Sequence, residues 1–257
     1  MGILNVTPDS FSDGGCFLDP DTAVVHGRRM AAEGAAVIDV GGESTRPGAA
    51  EVEVDEEIRR VLPVVEALSE EMRVSIDTTK PEVARAAVGA GASLINDVSA
   101  SLWPVAAELG VGWVAMHRQG DPHTMQDAPT YDDVVSEVRD FLVERADRAR
   151  EAGIDEVWID PGIGFGKTKV HNLSLLRHVG ELVATGYPVA IGTSRKSMLG
   201  RLLAASDGVD EVPTHDRLEG SLATATWAMA QGVRMVRAHD VLPTVQAARV
   251  VGGEIQD

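Results

Sequence analysis

Short apolar runs rich in β-branched residues alternate along the chain with longer, alanine-rich stretches. The short runs lie at 1–5, 36–40, 73–77, 93–97, 112–117, 157–160, 188–192 and 234–239. Runs of this length, bounded by glycine, proline and polar residues, are typical of buried strands, and the stretches between them are typical of helices. The pattern therefore predicts eight parallel strands joined by crossover helices.

Two of the predicted helices have clear boundaries in the sequence. The segments 19–34 ("DPDTAVVHGRRMAAEG") and 80–91 ("KPEVARAAVGAG") each have proline near the start and glycine at the end. Proline is favoured in the first turn of a helix and glycine just beyond its end. The acidic run at 51–60 ("EVEVDEEIRR") predicts the solvated start of another helix, because carboxylates there interact favourably with the helix dipole.

Eight strand–helix units predict the α/β class and a single (β/α)8 TIM barrel. A chain of 257 residues has the usual length of such a barrel, and no linker or short repeat divides it, so 1–257 is predicted to be one domain. Closing the sheet into a barrel also removes exposed strand edges. An open, doubly wound parallel sheet remains the alternative.

The charge of the chain limits its partners. A formal net charge of -17 excludes nucleic acids and anionic membranes as partners, because both require a basic surface. The single cysteine, Cys16, excludes an intrachain disulfide and a cysteine-based zinc site. The sequence has neither an apolar run long enough to span a membrane nor the pattern of a signal peptide, which predicts a cytoplasmic protein.

Polar side chains recur where the predicted strands end. These positions are Asn5, Asp39, Asp77, Asn96, Asp97, Met116, His117, Asp160, Arg237 and His239, of which only Met116 is apolar. In a parallel barrel, the carboxyl ends of the strands build the functional site. Asp77, Asn96 and Asp160 together could accept from and donate to the edge of a flat heterocycle with an amidine-like N–H pair. Taken singly, each could instead be a helix cap or a turn residue.

Cationic side chains follow the last two strands. Arg195 and Lys196 precede Ser197 at the start of a helix, where a cation opposes the helix dipole, so an anionic or polar ligand nearby would explain them. Strand alternation sends Arg237 and His239 to one face, and this pair suits a phosphate or diphosphate. As an alternative, His239 could be a buried core histidine.

The first two loops are longer than a tight turn requires. Segments 5–15 ("NVTPDSFSDGG") and 41–50 ("GGESTRPGAA") are rich in small residues and contain Asp13 and Arg46, respectively. They are predicted to be mobile lids over the site, although ordinary surface loops would have a similar composition.

Two other motifs do not indicate nucleotide or metal binding. The segment 160–168 ("DPGIGFGKT") lacks the spacing of a nucleotide-binding phosphate loop, and its glycines are better explained by a close approach of Phe165 to a ligand. The histidines have no metal-ligand spacing supported by carboxylates, so a core or solvated role is predicted for His117, His123, His171 and His178.

Seven segments together resemble the successive motifs of the dihydropteroate synthase family. In chain order they are "GILNVTPDSFSDGG", "DVGGESTRPGA", "SIDT", "INDVS", "DPGIGFGK", "SRKSMLG" and "VRAHDV". The resemblance implies a pterin-binding (β/α)8 barrel that joins 6-hydroxymethyl-7,8-dihydropterin diphosphate to 4-aminobenzoate and releases diphosphate. It also implies a Mg²⁺ cofactor, a homodimer and sensitivity to sulfonamide drugs.

The resemblance also implies a role for each matching position. The implied pterin contacts are Asp77, Asn96, Asp160, Phe165 and Lys196. The implied diphosphate contacts are Asn5, Thr45, Arg237 and His239, with Asn5 facing Mg²⁺. The implied 4-aminobenzoate contacts are Thr45, Pro47, Phe165, Lys196 and Ser197. Asp13, Arg46 and Lys196 are implied to act in catalysis, the first two by closing the loops over the site.

Two rival functions and one departure accompany the resemblance. A pterin-binding methyltransferase domain shares the barrel and the pterin contacts but has no use for a diphosphate clamp. A non-catalytic pterin-binding paralogue would be expected to lose residues such as Asp13, Arg46 or Lys196, which are all present. The lead into the first strand is shorter than in the family, which predicts either a clipped start or a thinner barrel floor.

Overall fold

The structure is a computed structural model that describes residues 1–7, 19–44, 51–121 and 124–252. All eight predicted strands are present. They are β1 (Gly2–Asn5), β2 (Ile38–Gly41), β3 (Val74–Asp77), β4 (Leu94–Asp97), β5 (Gly112–Met116), β6 (Val157–Asp160), β7 (Ala190–Ile191) and β8 (Met235–Val236). Each lies within its predicted run except β2, which extends one residue further.

The strands follow one another around a ring. Strands β1 to β6 form a parallel sheet in sequence order, and β7 pairs with β8 in parallel. Isolated parallel bridges, Ile159 with Val189 and Gly2 with Ala238, connect these two sheets at both ends. The consecutive order and these two connections confirm the (β/α)8 barrel, and the doubly wound alternative is wrong.

Helices cover the outside of this ring. They are α1 (Pro20–Ala32), α2 (Val54–Ser69), α3 (Pro81–Gly89), α4 (Trp103–Leu109), α5 (Val134–Glu151), α6 (Lys169–Arg177), α7 (Val179–Val183), α8 (Ser197–Asp207), α9 (Leu218–Ala230) and α10 (Val241–Gly252). The two predicted helix starts are confirmed, since α1 and α3 both begin at proline, and Asp19 caps α1 by accepting from Thr22 N. No helix in the described ranges is both long and apolar enough to cross a membrane.

The main core lies between the strands and the helices. Fully buried side chains from the strands, such as Leu4, Ile76 and Trp113, pack against Val65 of α2 and Leu142 of α5 in one cluster. Burying one such side chain contributes roughly 1.5–3 kcal/mol to folding. This layer fixes the strand register, and the register brings the polar residues at the strand ends to one end of the barrel.

The acidic run before α2 is only partly solvated. Glu57 is 1% exposed, although the sequence predicted a solvated helix start. Its carboxylate accepts from Thr78 Oγ1 at 2.8 Å and from Lys80 Nζ at 2.6 Å, and both residues lie between β3 and α3 in the next strand–helix unit. The prediction is therefore wrong for Glu57, because a carboxylate can be buried once a cation and a hydroxyl satisfy it.

Candidate active site

A cleft opens at the carboxyl ends of the strands. Its empty volume, with the open solvent at its mouth included, is ≈ 460 Å³. The lining residues are Ile3, Asp77, Asn96, Val98, Met116, Asp160, Phe165, Gly192, Ser194, Lys196, Arg237 and His239. All five predicted pterin contacts are therefore in one cavity with Arg237 and His239, the two predicted diphosphate contacts that follow β8.

Three strands supply the polar floor of the cleft. Asp77 and Asp160 end β3 and β6, Asn96 is the penultimate residue of β4, and each is buried. Asp77 Oδ1 has no hydrogen-bond partner, whereas Asp160 Oδ1 accepts from Gly162 N at 2.7 Å. A buried acceptor without a partner is costly, so the floor is suited to a ligand that brings N–H donors.

Arg237 is held by two carboxylates at the edge of this floor. Its Nε donates to Asp39 Oδ2 at 2.6 Å and its Nη2 to Asp77 Oδ2 at 2.7 Å. Burial alone would lower the pKa of Arg237, but Asp39 and Asp77 outweigh it and raise that pKa above its ordinary value. Arg237 therefore remains a cation. It is a predicted diphosphate contact, and its hydrogen bond connects it to Asp77, a predicted pterin contact.

Burial changes the acidity of the floor carboxylates. It raises the pKa of Asp77 to about 7, because Arg237 opposes it only in part and the nearby carboxylates Asp39, Glu57 and Asp97 add to it. The pKa of Asp160 is also raised, again mainly by burial. One guanidinium thus faces two carboxylates, and the cluster of Arg237, Asp39 and Asp77 can take up a proton near neutral pH.

Lys196 and Phe165 form the wall next to Asp160. Lys196 Nζ lies 4.1 Å from the centroid of the Phe165 ring, a cation–π distance, and donates to Ile163 O. Burial lowers the pKa of Lys196 to about 8, while Asp160 acts in the opposite direction. Phe165 lines the cleft, and its close approach to a ligand stays a prediction.

The loop that presents Phe165 is built around a second buried lysine. Lys167 Nζ donates to Gly162 O and Phe165 O, both at 3.0 Å, and lies 2.9 Å from His117 Nδ1. A side chain on Gly162 (φ 64°) would lie 1.9 Å from His117 O, so the loop requires glycine there. His117 is buried, and burial lowers its pKa to about 3, which confirms its predicted core role.

His239 and Ser194 define the side of the cleft next to Arg237. Ser194 Oγ lies 2.9 Å from His239 Nδ1 and accepts from His239 N at 3.1 Å. Ser194 lies three residues after the end of β7, and its place just beyond the apolar run at 188–192 was the sequence signal that could have identified it. Asp39 was among the polar residues at the predicted strand ends, but the sequence assigned it no role in the site.

Asn5 ends β1 beside the same floor. A side chain on Gly41 would lie 3.5 Å from Asn5 Oδ1 and 3.8 Å from Asp77 Oδ2, so Gly41 keeps the space between these oxygens open. Among the described residues, no group of three or more His, Cys, Asp or Glu side chains could hold a metal ion. A single carboxamide oxygen next to open space fits Mg²⁺, which takes few protein ligands and completes its shell with phosphate and water.

One further predicted site residue, Ser197, lies in the described part of the chain. Ser197 is exposed and begins α8, as its motif predicted, but it does not line the cleft. Asp13, Thr45, Arg46 and Pro47 lie outside the described residues.

Comparisons with known proteins agree with this geometry. A family model described as pterin binding enzyme matches residues 1–239. Dihydropteroate synthase of Escherichia coli K12 is 50% identical over 259 residues, which span 98% of this chain and 89% of that protein. The chain belongs to the dihydropteroate synthase family of pterin-binding enzymes.

Solved structures of dihydropteroate synthases share the fold. The enzyme of Yersinia pestis in a sulfonamide drug complex has a TM-score of 0.92 at 46% identity, covering 98% of this chain and 92% of that one. The enzyme of Xanthomonas albilineans in complex with 7,8-dihydropteroate has a TM-score of 0.84 at 46% identity, covering 97% and 90%. The predicted family, barrel and dihydropteroate synthase activity are confirmed.

Proposed function

We propose that this protein joins 6-hydroxymethyl-7,8-dihydropterin diphosphate to 4-aminobenzoate through the residues of the described cleft. This assignment of roles rests on one observation: hydrogen-bond acceptors suited to a pterin and basic side chains suited to a diphosphate line the same cavity. The buried oxygens of Asp77, Asn96 and Asp160 suit the donor-rich edge of a pterin, and Arg237 and His239 suit its diphosphate.

The pterin ring would lie against the floor. Asp77 and Asp160 would accept hydrogen bonds from ring N–H groups, which are stronger in a dry cavity than in water. Lys196, held over Phe165, would donate to a ring acceptor. This orientation leaves the exocyclic methylene group directed towards the cations.

Bond cleavage would precede bond formation. An aromatic amine is a weak nucleophile, so a path in which diphosphate leaves first is favoured over direct displacement. Its departure would leave a cation at the methylene carbon, which the pterin ring stabilises. Arg237 has two of its nitrogens bound to carboxylates, and its Nη1 is left to stabilise the departing diphosphate with His239. The amine nitrogen of 4-aminobenzoate would then form the new C–N bond and lose a proton.

A Mg²⁺ ion would add positive charge to the diphosphate when bound. Asn5 Oδ1 would be its protein ligand, in the space that Gly41 leaves open. The chain's own cations would orient the diphosphate in the same region.

4-Aminobenzoate would bind between the Phe165–Lys196 wall and the start of α8. Thr45 and Pro47 would also contact it, and its carboxylate would be stabilised near Ser197 by backbone N–H groups and the helix dipole. Asp13 and Arg46 would exclude water from the reacting centre. Sulfonamides resemble 4-aminobenzoate and would compete for this position, as supported by the sulfonamide complex of the Yersinia pestis relative.

We further propose a homodimer and a cytoplasmic location. Exposed apolar side chains on three helices, Leu202 on α8, Trp227 on α9 and Leu242 on α10, support the homodimer. The location is a prediction from the composition of the chain, and fractionation of cells with an antibody against the protein would test it.

Dihydropteroate formation tests the proposed function. Wild-type protein given both substrates and Mg²⁺ is expected to form 7,8-dihydropteroate, and Lys196→Ala is expected to lower kcat/KM by about a hundredfold, as for loss of a charged contact in a dry site. Lys169→Ala is the matched control, because Lys169 is exposed on α6. Lack of product from the wild type would contradict the function, and full activity of Lys196→Ala would contradict the role of Lys196.

A further inference from the structure

We propose that Asp39 is a positioning residue that fixes the donor and acceptor pattern of the pterin cleft through Asn96 and Arg237. The inference rests on the proposed function, because it concerns how the same cleft recognises a pterin diphosphate. Asp39 does not line the cavity, and it acts through the two side chains that do.

One oxygen of Asp39 makes both contacts. Asp39 Oδ2 accepts from Asn96 Nδ2 at 3.0 Å and from Arg237 Nε at 2.6 Å. Asp39 is 0% exposed, and its strand, β2, lies between β1 and β3, in parallel register with both. A short, fully buried carboxylate on a strand that is paired on both sides has little freedom to move, so the fold fixes the position of Oδ2.

The contact with Asn96 decides which face of its carboxamide the ligand meets. An ionised carboxylate can only accept, so the atom of Asn96 that faces Asp39 is the NH₂ group. The carboxamide oxygen is then the atom left for the cleft. Asn96 therefore adds an acceptor beside the Asp77 carboxylate, and rotation of the amide would present a donor instead.

The contact with Arg237 fixes the plane of its guanidinium. Asp39 takes Nε and Asp77 takes Nη2, so the group is anchored on two sides. The remaining nitrogen, Nη1, is then directed by the geometry of the planar fork. Asp39 Oδ2 therefore orients two groups at once. They are the carboxamide oxygen of Asn96 in the pterin half of the cleft and the guanidinium of Arg237 in the phosphate half.

An electrostatic role is the main competing explanation. Asp39 could act only as a counter-charge for Arg237, in which case any neutral side chain at position 39 would be equally harmful. Asp39→Asn separates the two explanations, because its carbonyl oxygen can occupy the Oδ2 position and accept both hydrogen bonds without a charge. Asp39→Leu removes the acceptor and has a similar shape.

The experiment compares steady-state kinetics and pterin binding for Asp39→Leu, Asp39→Asn and the control Ser75→Ala. Ser75 is the register partner of Asp39 on β3, and its buried hydroxyl has no hydrogen-bond partner. We expect Asp39→Leu to raise KM and Kd for the pterin diphosphate at least about tenfold, as for loss of a buried hydrogen bond to a charged group. For Asp39→Asn, both constants should stay within about threefold of the wild-type values, and for Ser75→Ala they should equal them. The KM for 4-aminobenzoate should be unchanged in all three variants.

Three outcomes would overturn the inference. The first is an unchanged KM for the pterin diphosphate in Asp39→Leu. The second is an equal loss of pterin diphosphate affinity in Asp39→Leu and Asp39→Asn. The third is an equal rise of the KM values for the pterin diphosphate and 4-aminobenzoate in Asp39→Leu. Wild-type protein that forms no dihydropteroate would instead contradict the proposed function, so the two failures are distinguishable.

A second variant keeps the inference testable if Asp39→Leu does not fold. Asn96→Asp replaces the donor that faces Asp39 by an acceptor of the same shape. Relative to wild type at the same pH, pterin binding by Asn96→Asp should be weak at pH 8 and recover towards pH 5.5, because a proton shared between the two carboxylates replaces the amide hydrogen. A difference from wild type that grows towards low pH, or that does not change with pH, would overturn the role of the Asn96–Asp39 contact.

Discussion

At the scale of single residues, the cleft depends on buried charges that are not fully compensated. Asp77 shares Arg237 with Asp39, and its Oδ1 has no partner. Burial raises the pKa of Asp77 to about 7, so between the ordinary pKa of aspartate and this value the free protein holds a proton that the unfolded chain has lost. The folded state thus loses stability as pH rises from the ordinary range of aspartate through about 7.

The pKa of Asp77 predicts how pterin affinity depends on pH. Ring N–H donors stabilise the ionised carboxylate, so binding should release a proton, and affinity should rise from pH 6 to 8 and then level off. Calorimetry in buffers with different ionisation enthalpies measures this release. Asp77→Asn should abolish the proton release at pH 7, and an affinity that falls over this pH range would contradict the prediction.

At the scale of elements, the loop between β6 and α6 is held from inside by one ammonium group. Lys167 is 2% exposed, and its Nζ also donates to His117 O at 3.2 Å, in addition to its contacts with Gly162 and Phe165. Burial lowers the pKa of Lys167 to about 7, against the opposing effect of Asp160. The loop carries Phe165 into the cleft, so its conformation is linked to the site.

Removal of this ammonium group should destabilise the protein. Lys167→Met leaves the inward-facing carbonyl groups without a donor, and we expect a loss of about 3 kcal/mol in the free energy of unfolding, measured with urea. Lys169→Met, on the exposed side of the next helix, should change it by less than about 0.5 kcal/mol. Equal stability of the two variants would contradict the role of Lys167.

At the scale of the whole molecule, helices α8, α9 and α10 present a surface that the monomer leaves uncovered. Helix α9 packs against both α8 and α10. Leu202, Trp227 and Leu242 are each more than 40% exposed. Large apolar side chains on adjacent helices are costly in water, and a second copy of the chain would cover them.

The proposed homodimer predicts the effect of a charge on this surface. The wild type should have twice the mass of the chain in light scattering after gel filtration, and Leu242→Glu should shift it towards the monomer, because a dimer would bury the new charge. Val25→Glu, on the exposed side of α1, is the control and should stay dimeric. A monomeric wild type would contradict the proposal.

The sequence predicted most of the fold and the main cleft residues because both follow local rules. Apolar runs of strand length gave all eight strands, and position at a strand end singled out Asp77, Asn96 and Asp160. The sequence did not indicate the partners of Asp39, and the acidic run placed Glu57 in solvent. Neither error could be corrected locally, because the partners of both carboxylates lie in other strand–helix units.

By itself, the sequence determined the alternation of strands and helices, the closed barrel that eight such units favour, and the polar residues at the strand ends. Only the tertiary structure decided how charges are paired. Arg237 meets Asp39 across 198 positions of the chain, and Lys167 is enclosed by carbonyl groups of two loops. Such pairs form only when the ring closes and water leaves, since burial is what makes an unpaired charge costly.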